Sequence, residues 1–544
     1  MLYIGIDLGT SAVKLLLMDV DGKIKKIASR TYDLSFPHPG WSEQNPEDWF
    51  TQSVEGMKEL TEGIDRSKVA GIGFGGQMHG LVTLDENDKV IRPAILWNDG
   101  RSQKETEYLN NEIGKEKLSA YTANIAFAGF TAPKILWMKK NEPEKFAKIA
   151  KIMLPKDYLA YRLSGSFCTD VSDASGMLLL DVKNRCWSRE MMEICDVREE
   201  QLPKLYESWE VVGTLKPEVA EELGFSADVK VVAGAGDNAA AAVGTGTVGD
   251  GQCNISLGTS GTIFISSKNF GVDENNALHS FCHADGSYHL MGCMLSAASC
   301  NKWWAEEILQ TRDFAAEQAP IQKLGENNVF FLPYLMGERS PHNNPDARGV
   351  FFGMSMDTTR ADMTQAVLEG VAFGLRDSLE VARKLGIKIE RTKICGGGAK
   401  SPLWKKIIAN VMNLKVDVLE VEEGFDFAEH GYVIPFVDEP VGDLVGKSVD
   451  EPPACAVAQL LLANIHSRIS RHAACQTGVQ SFLAAHADAC LDVAAVFGEE
   501  VGLFNGDCAS RVSNSPWSAH SAVKARILSK RASASALFFS GRLK

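Results

Sequence analysis

Two short stretches of this chain could grip a phosphate from opposite sides. Asp7-Leu8-Gly9-Thr10-Ser11, followed by Lys14, and Leu257-Gly258-Thr259-Ser260-Gly261 share the run Leu-Gly-Thr-Ser about 250 residues apart. Glycine lets a backbone approach a ligand closely. The N–H groups and hydroxyls of Gly9, Thr10, Ser11, Gly258, Thr259 and Ser260 therefore suit phosphate oxygens. Lys14 would add positive charge, and Asp7 is a carboxylate able to hold Mg2+ directly or through water. A third glycine turn, Gly396-Gly397-Gly398-Ala399, lies further on. Asp7 to Ser11 alone could be a plain hairpin; the second copy and the third turn favour phosphate binding.

Three other clusters carry polar chemistry. Asp237, in Gly236-Asp237-Asn238, could accept the proton of a hydroxyl that attacks phosphorus, or could simply cap a helix. Gln77-Met78-His79-Gly80 closes a glycine-rich apolar run, a place where α/β sheets meet polar ligands. A lone histidine there could equally be structural. Trp97-Asn98-Asp99-Gly100-Arg101 groups an aromatic, an amide, a carboxylate and a guanidinium. Those groups both donate and accept, as a polyol requires, although a polar turn would read the same way.

The elements that must position these groups follow from the pattern around them. Leu2 to Asp7 reads as a buried strand, Leu8 to Ser11 as a turn, and Val13 to Asp19 as a second strand. Asp21-Gly22 then reads as a hairpin turn before a strand over Lys23 to Ala28. Gln252 to Leu257, Gly258 to Gly261 and Thr262 to Ser266 repeat the strand-turn-strand order, which predicts duplication and two related α/β domains. Val231 to Asn238 reads as strand, glycine turn and helix start, with Asp237 and Asn238 near the helix N-terminus. Gly244 to Gly251 is the expected connection between the domains. Lys393 to Cys395 is expected as a strand and Pro402 to Met412 as a helix, with Pro402 in the first turn. The residues before Trp97 are expected to form another apolar strand.

Composition narrows the class. A net charge of −14 over 544 residues argues against a broad nucleic-acid-binding surface. No run of about 18 apolar residues appears, so no membrane span is expected. The start, Met1 to Ser11, lacks the basic and apolar regions of a signal peptide. The 12 cysteines form no CxxC pair, which suits reduced thiols in a cytoplasmic protein.

Longer stretches resemble the FGGY carbohydrate kinase family. Asp7 to Ser11 with Lys14 is similar to its first phosphate segment, Ser256 to Gly261 to its second, and Gly396 to Ala399 to its adenosine segment. Gly129-Phe130-Thr131-Ala132-Pro133-Lys134-Ile135-Leu136-Trp137 resembles the first family signature. Gly349 to Met354, running on to Asp362 and Ala366-Val367-Leu368-Glu369, resembles the second. Gly40 to Gln44, Gly75 to Gly80, Ala94 to Arg101, Leu154 to Tyr158 and Leu332 to Tyr334 with Glu338, Arg339, Pro341, His342 and Asn343 resemble the branch acting on D-xylulose.

The resemblance implies an α/β, two-domain actin-like ATPase (ribonuclease H-like) fold with the ATP cleft between the domains. It implies ATP-dependent phosphorylation of D-xylulose to D-xylulose 5-phosphate, with Mg2+. Gluconate, ribulose, fuculose or glycerol are the rival substrates within the family. Asp237 is then the general base, and Met78, His79, Trp97, Asp99 and Asn238 the sugar contacts. Gly9, Thr10, Ser11, Lys14, Gly258, Thr259, Ser260, Gly397, Gly398 and Ala399 meet the nucleotide, and Asp7 the metal. Small-molecule sugar and nucleotide are the expected partners, without nucleic acid or membrane; a homodimer is compatible with this.

The resemblance covers residues 1 to about 424. It divides them into an N-terminal domain, 1–245, and a C-terminal domain, 246–424. After the strand expected over Lys415 to Val421, the family pattern calls for a glycine-rich turn and a small-residue helix. Phe425-Asp426-Phe427-Ala428-Glu429-His430 does not match it. From Arg511 to Lys544 there is no acidic residue. The break predicts a reading-frame shift and a non-family tail over 425–544, hence an incomplete second domain. A sugar-binding protein impaired in catalysis is the reading that follows if the incomplete domain no longer supports ATP.

Overall fold

In the computed structural model, residues 1–417 are described. The tail over 425–544 and its frame-shift reading lie outside the described residues.

The chain makes two halves, each built on a mixed sheet. In the first half the strands are β1 (Leu2–Leu8), β2 (Ala12–Asp19), β3 (Ile24–Thr31), β4 (Val69–Gly76), β5 (Val211–Thr214), β6 (Lys230–Val232) and β7 (Ala235–Gly236). They form a seven-stranded sheet in the order β5-β6-β4-β1-β2-β3, with β7 also on β4. The second half contains β8 (Cys253–Leu257), β9 (Gly261–Ser267), β10 (His279–Cys282), β11 (Tyr288–Met294), β12 (Arg391–Cys395) and β13 (Lys415–Asp417). Their order is β10-β11-β9-β8-β12-β13.

The two sheets share one plan. β1 runs antiparallel to β2 and parallel to β4. β8 runs antiparallel to β9 and parallel to β12. Each half thus opens with a hairpin whose turn carries Leu-Gly-Thr-Ser, and the internal repeat is structural as well as verbal. Strands flanked by parallel partners must be covered on both faces, which explains the near-continuous burial of Ile4 to Leu8 and of Ile255.

Helices supply that cover. α1 (Pro46–Leu60) starts at Asn45, whose side chain accepts from Glu47 N, with Pro46 in the first turn. It buries Trp49, Ser53, Val54, Met57 and Leu60, the spacing of one helical face, in the core formed with Ile4, Ile6, Leu15 and Leu17. α2 (Thr131–Asn141), α3 (Pro155–Ser164) and α4 (Asp237–Gly244) follow in the first half. α5 (Arg360–Lys384) and α6 (Pro402–Met412) pack on the second sheet, where Val367, Val371, Leu375, Ile407 and Val411 join Ile255 and Ile263.

Between the halves, Gly246, Gly249 and Gly251 all have positive φ. The Lys393 amine donates to Gly246 O at 2.5 Å, and Asn254 Nδ2 to Thr245 Oγ1 at 2.9 Å. The connection is therefore held from the second sheet. A second junction lies elsewhere. β10 packs into the first half, where Phe281 and Cys282 join a core with Phe130, Met177 and Leu180. Asn124 hydrogen-bonds both the N–H and the carbonyl of Ser280.

Some boundaries differ from the sequence reading. The third strand extends to Thr31 because its residues pair along β2 as far as Ala12. The turn Gly396 to Ala399 is a short 3-10 helix over Gly397–Lys400. The strand before Trp97 is only Ala94–Ile95, since Pro93 has no N–H to give and Asp99 N turns back to Leu96 O.

Candidate active site

Asp7, next to the end of β1, lies opposite Lys14 of β2, so the two side chains share one face of the hairpin. Asp7 is only 3% exposed, and its Oδ2 has no hydrogen-bond partner. Burial, with the charge of Asp237 adding to it, pushes the Asp7 carboxyl well above the usual range, while Lys14 pulls it back. The following turn is tied down by side chains. Thr10 Oγ1 donates to Gln77 Oε1 at 3.1 Å and accepts from Trp97 Nε1 at 2.9 Å. Gln44 Nε2 donates to Thr10 O at 2.6 Å, and Tyr32 donates to Gly9 O. Ser11 remains exposed.

The second turn is fixed from behind. Ala298 N donates to Gly258 O at 2.9 Å and Ala297 N to Thr259 O at 3.0 Å, leaving Thr259 and Ser260 exposed. The segment Gly397–Lys400 packs against β8, so Gly397, Gly398 and Ala399 lie beside the strand that feeds this turn.

Met78 and His79 follow β4 directly. His79 has φ +69°, a conformation that costs a non-glycine residue energy and persists only where its surroundings enforce it. Two clamps do so. Its carbonyl accepts from Lys134 Nζ at 2.8 Å and Thr131 Oγ1 at 3.1 Å. Its Nδ1 lies 2.8 Å from Gly176 O, an atom that can only accept. A Cβ on Gly176 would come within 2.3 Å of the imidazole, so glycine is needed for that approach. Burial, with Lys134 and Arg339 adding, lowers the His79 pKa to about 3. The ring is therefore neutral, with the proton on Nδ1, and Nε2 presents a lone pair that can accept from a hydroxyl.

Asp237 opens α4, where the helix dipole favours a negative charge. Its Oδ1 accepts from Asn238 N at 2.6 Å and Asn238 Nδ2 at 2.9 Å. Burial pushes the carboxyl up to about 6, against the pull of those two bonds. It is thus a carboxylate at neutral pH with more basicity than usual, the state suited to taking a proton. Asn238 Nδ2 lies 4.0 Å from Met78 Sδ, which places the start of α4 beside the Met78-His79 pair. Among the described residues no group of three or more His, Cys, Asp or Glu is placed to hold a metal.

Two family models match the chain: the N-terminal domain of the FGGY family of carbohydrate kinases over residues 2–244 and its C-terminal domain over 253–425. The chain belongs to the FGGY family of carbohydrate kinases. It is an enzyme that uses ATP to phosphorylate a sugar-like alcohol, and the two-domain actin-like ATPase fold is the family's. It is 45% identical to a xylulose kinase of Escherichia coli over 419 residues, 76% of this chain and 86% of that protein. A crystal structure described as a "xyloylose kinase" from Brucella ovis is 37% identical, with a TM-score of 0.78, covering 92% of this chain and 99% of the other. A gluconate kinase from Lactobacillus acidophilus is 25% identical with a TM-score of 0.77, over 92% of this chain and 100% of its own. No helix among the described residues is long and apolar enough to cross a membrane.

The geometry sorts the remaining candidates of this FGGY kinase. Trp97 is 45% exposed, and its Nε1 ties it to the first glycine turn at Thr10. Asp99 already has both oxygens engaged. Oδ1 accepts from Arg101 N and Nε, each at 2.9 Å; Oδ2 accepts from Ser42 N at 2.6 Å and Arg101 Nη2 at 2.7 Å. Arg101 in turn lies 3.7 Å over the Trp41 ring. Two residues that the sequence reading did not assign to the site also act on His79. Lys134 is buried and holds His79, and Arg339 of the second half acts electrostatically on the His79 ring. Both lie in stretches that resemble the family; only their roles needed the fold.

Proposed function

We propose that this FGGY kinase transfers the γ-phosphoryl group of ATP to the terminal hydroxyl of D-xylulose, giving D-xylulose 5-phosphate. The observation that carries the transfer is the Asp237 carboxylate at a helix N-terminus, with its pKa raised to about 6, beside Met78 and His79. The 45% identity to a xylulose kinase over 419 residues supports the choice of sugar.

The nucleotide phosphates would rest against the backbone and hydroxyls of Gly9, Thr10, Ser11, Gly258, Thr259 and Ser260, with Lys14 adding charge. Gly397, Gly398 and Ala399 would meet the adenosine. Asp7 fits Mg2+: a buried carboxylate oxygen without a hydrogen-bond partner, beside a second negative charge, is a group that a cation relieves. Bound there with the phosphates, the ion would neutralise their charge. His79 Nε2 accepts a sugar hydroxyl, Met78 packs the carbon chain, and Asn238 orients the base. Asp237 takes the proton of the attacking hydroxyl as its oxygen bonds to phosphorus and the bond to ADP breaks. The division at residues 245 and 246 leaves the sugar contacts and the first phosphate turn in one half and the second phosphate turn and adenosine segment in the other, and the site's chemistry belongs to the cytoplasm, where ATP is available.

A coupled ADP-release assay comparing D-xylulose with gluconate, ribulose, fuculose and glycerol tests the reading. D-Xylulose should give the highest kcat/KM; a higher value for any other acceptor would replace it.

His79→Ala removes the neutral acceptor but no phosphate contact. The KM for the sugar should rise about tenfold or more, the scale of a lost hydrogen bond whose partner stays buried. ATP affinity, read by calorimetry, should stay near the parent's. A loss of ATP affinity with unchanged sugar KM would move His79 to the nucleotide side.

A further inference from the structure

We propose that a buried path, Lys156 to Asp170 to Ser172, is the positioning device for Asp237; the inference rests on the role of Asp237 as base. Lys156 lies on α3, and Asp170 and Ser172 at the helical turn Val171–Ala174, so none is near Asp237 in sequence. All three are buried, and none is part of the sugar or nucleotide contacts described above.

The path is continuous. Lys156 Nζ is 2.9 Å from Asp170 Oδ1. Asp170 Oδ2 accepts from Ser172 N at 2.9 Å and Ser172 Oγ at 2.5 Å. Gly236 N then donates to Ser172 Oγ at 3.2 Å. Because the serine proton is given to the carboxylate, the oxygen can only accept from the Gly236 amide, so the direction of that bond is fixed. Gly236 is the residue before Asp237. It is held on its other sides too: it pairs with Gly76 of β4, and a Cβ on it would lie 2.9 Å from Met78. A rotation at Gly236 would swing the Asp237 carboxylate, and the Ser172 bond resists that rotation.

The path also explains an otherwise costly cluster. Lys156 Nζ is 2.6 Å from Asp157 and 3.6 Å from Asp173, whose two oxygens have no hydrogen-bond partner. Packed apolar residues often replace such buried ions with no loss of stability. Geometry at the base is what this cluster provides and apolar packing would not.

Ser208 supplies the control. Its Oγ also donates to Asp170 Oδ2, at 2.6 Å, but it lies off the path to Gly236 N. The test measures kcat, both KM values and the melting temperature for Ser172→Ala, Ser208→Ala, Asp237→Asn and the Ser172→Ala/Asp237→Asn double variant. Ser172→Ala should lower kcat about tenfold to a hundredfold, the scale of a misplacement of about 1 Å, with both KM values near the parent's. Ser208→Ala should lose similar melting temperature yet keep the parent's kcat. The double variant should be no slower than Asp237→Asn alone. Parent-like kcat in Ser172→Ala, or an equal loss in Ser208→Ala, overturns the positioning role while leaving the base in place. Parent-like turnover in Asp237→Asn removes the base assignment, and the proposal with it.

Discussion

Asp237→Asn should fold, bind sugar and ATP, and lose phosphoryl transfer by about 10²–10⁴-fold, the usual worth of a general base. The substitution keeps the shape at the start of α4 and removes only the ability to take a proton. Stability should not fall. Burial pushes the folded carboxyl up to about 6 from the ordinary 3.8, so the folded state holds more protons than the unfolded one between those limits. The ionised Asp237 therefore weakens the fold as pH rises through that window, and the deficit is complete above about 6. An amide escapes it, so the variant should melt no earlier than the parent at neutral pH. Activity runs the other way. The parent's kcat/KM for sugar should fall about tenfold per pH unit below about 6, and the variant's residual rate should lack that limb. Turnover within a few-fold of the parent at saturating substrates would show that another group takes the proton.

Local signals made the two glycine turns and the helix start at Asp237 readable. Glycines between apolar strands fix a turn wherever they occur, and the repeated Leu-Gly-Thr-Ser gave the duplication that both sheets display. Asp237 could be placed at a helix start because Gly236 precedes it and alanines follow. Contacts between distant segments were beyond such signals. Nothing around His79 marks it for φ +69°, because the groups that enforce it, Thr131, Lys134 and Gly176, come from other elements. The same holds for Asp99. Its sequence neighbours suggest a polyol contact, but nothing in them shows that Arg101 and the Ser42 amide bond its oxygens. β10 belongs to the second sheet, yet its Phe281 and Cys282 complete a core of the first half.

Lys156→Met should cost more stability than any exposed ion-pair change in the protein. Burial pulls the Lys156 pKa down, but Asp157, Asp170 and Asp173 outweigh it and hold the amine well above the usual lysine range. A group raised in the folded state contributes its stability below the unfolded pKa, so at neutral pH the contribution is fully present. Removing the amine leaves buried carboxylates without their cation. Breaking a buried ion cluster in this way costs ~3–5 kcal/mol. That is a large part of the ~5–15 kcal/mol that holds a typical domain together. The pH dependence separates charge loss from a packing defect. Burial holds the Asp173 carboxyl well above the usual range despite Lys156, with Asp157, Asp170 and Asp237 adding to the rise. Without Lys156 the Asp157 and Asp173 carboxyls titrate higher still. The variant should therefore regain melting temperature relative to the parent as pH falls from about 8 toward 5, because protonated carboxyls no longer need the cation. Lys58→Met is the comparison: Lys58 pairs with Glu55 and Glu222 at the surface, where solvent screens the charges, and its loss should hardly shift the midpoint. A Lys156→Met deficit that stays constant across that pH range would mean that the lysine stem, rather than its charge, is what the core requires.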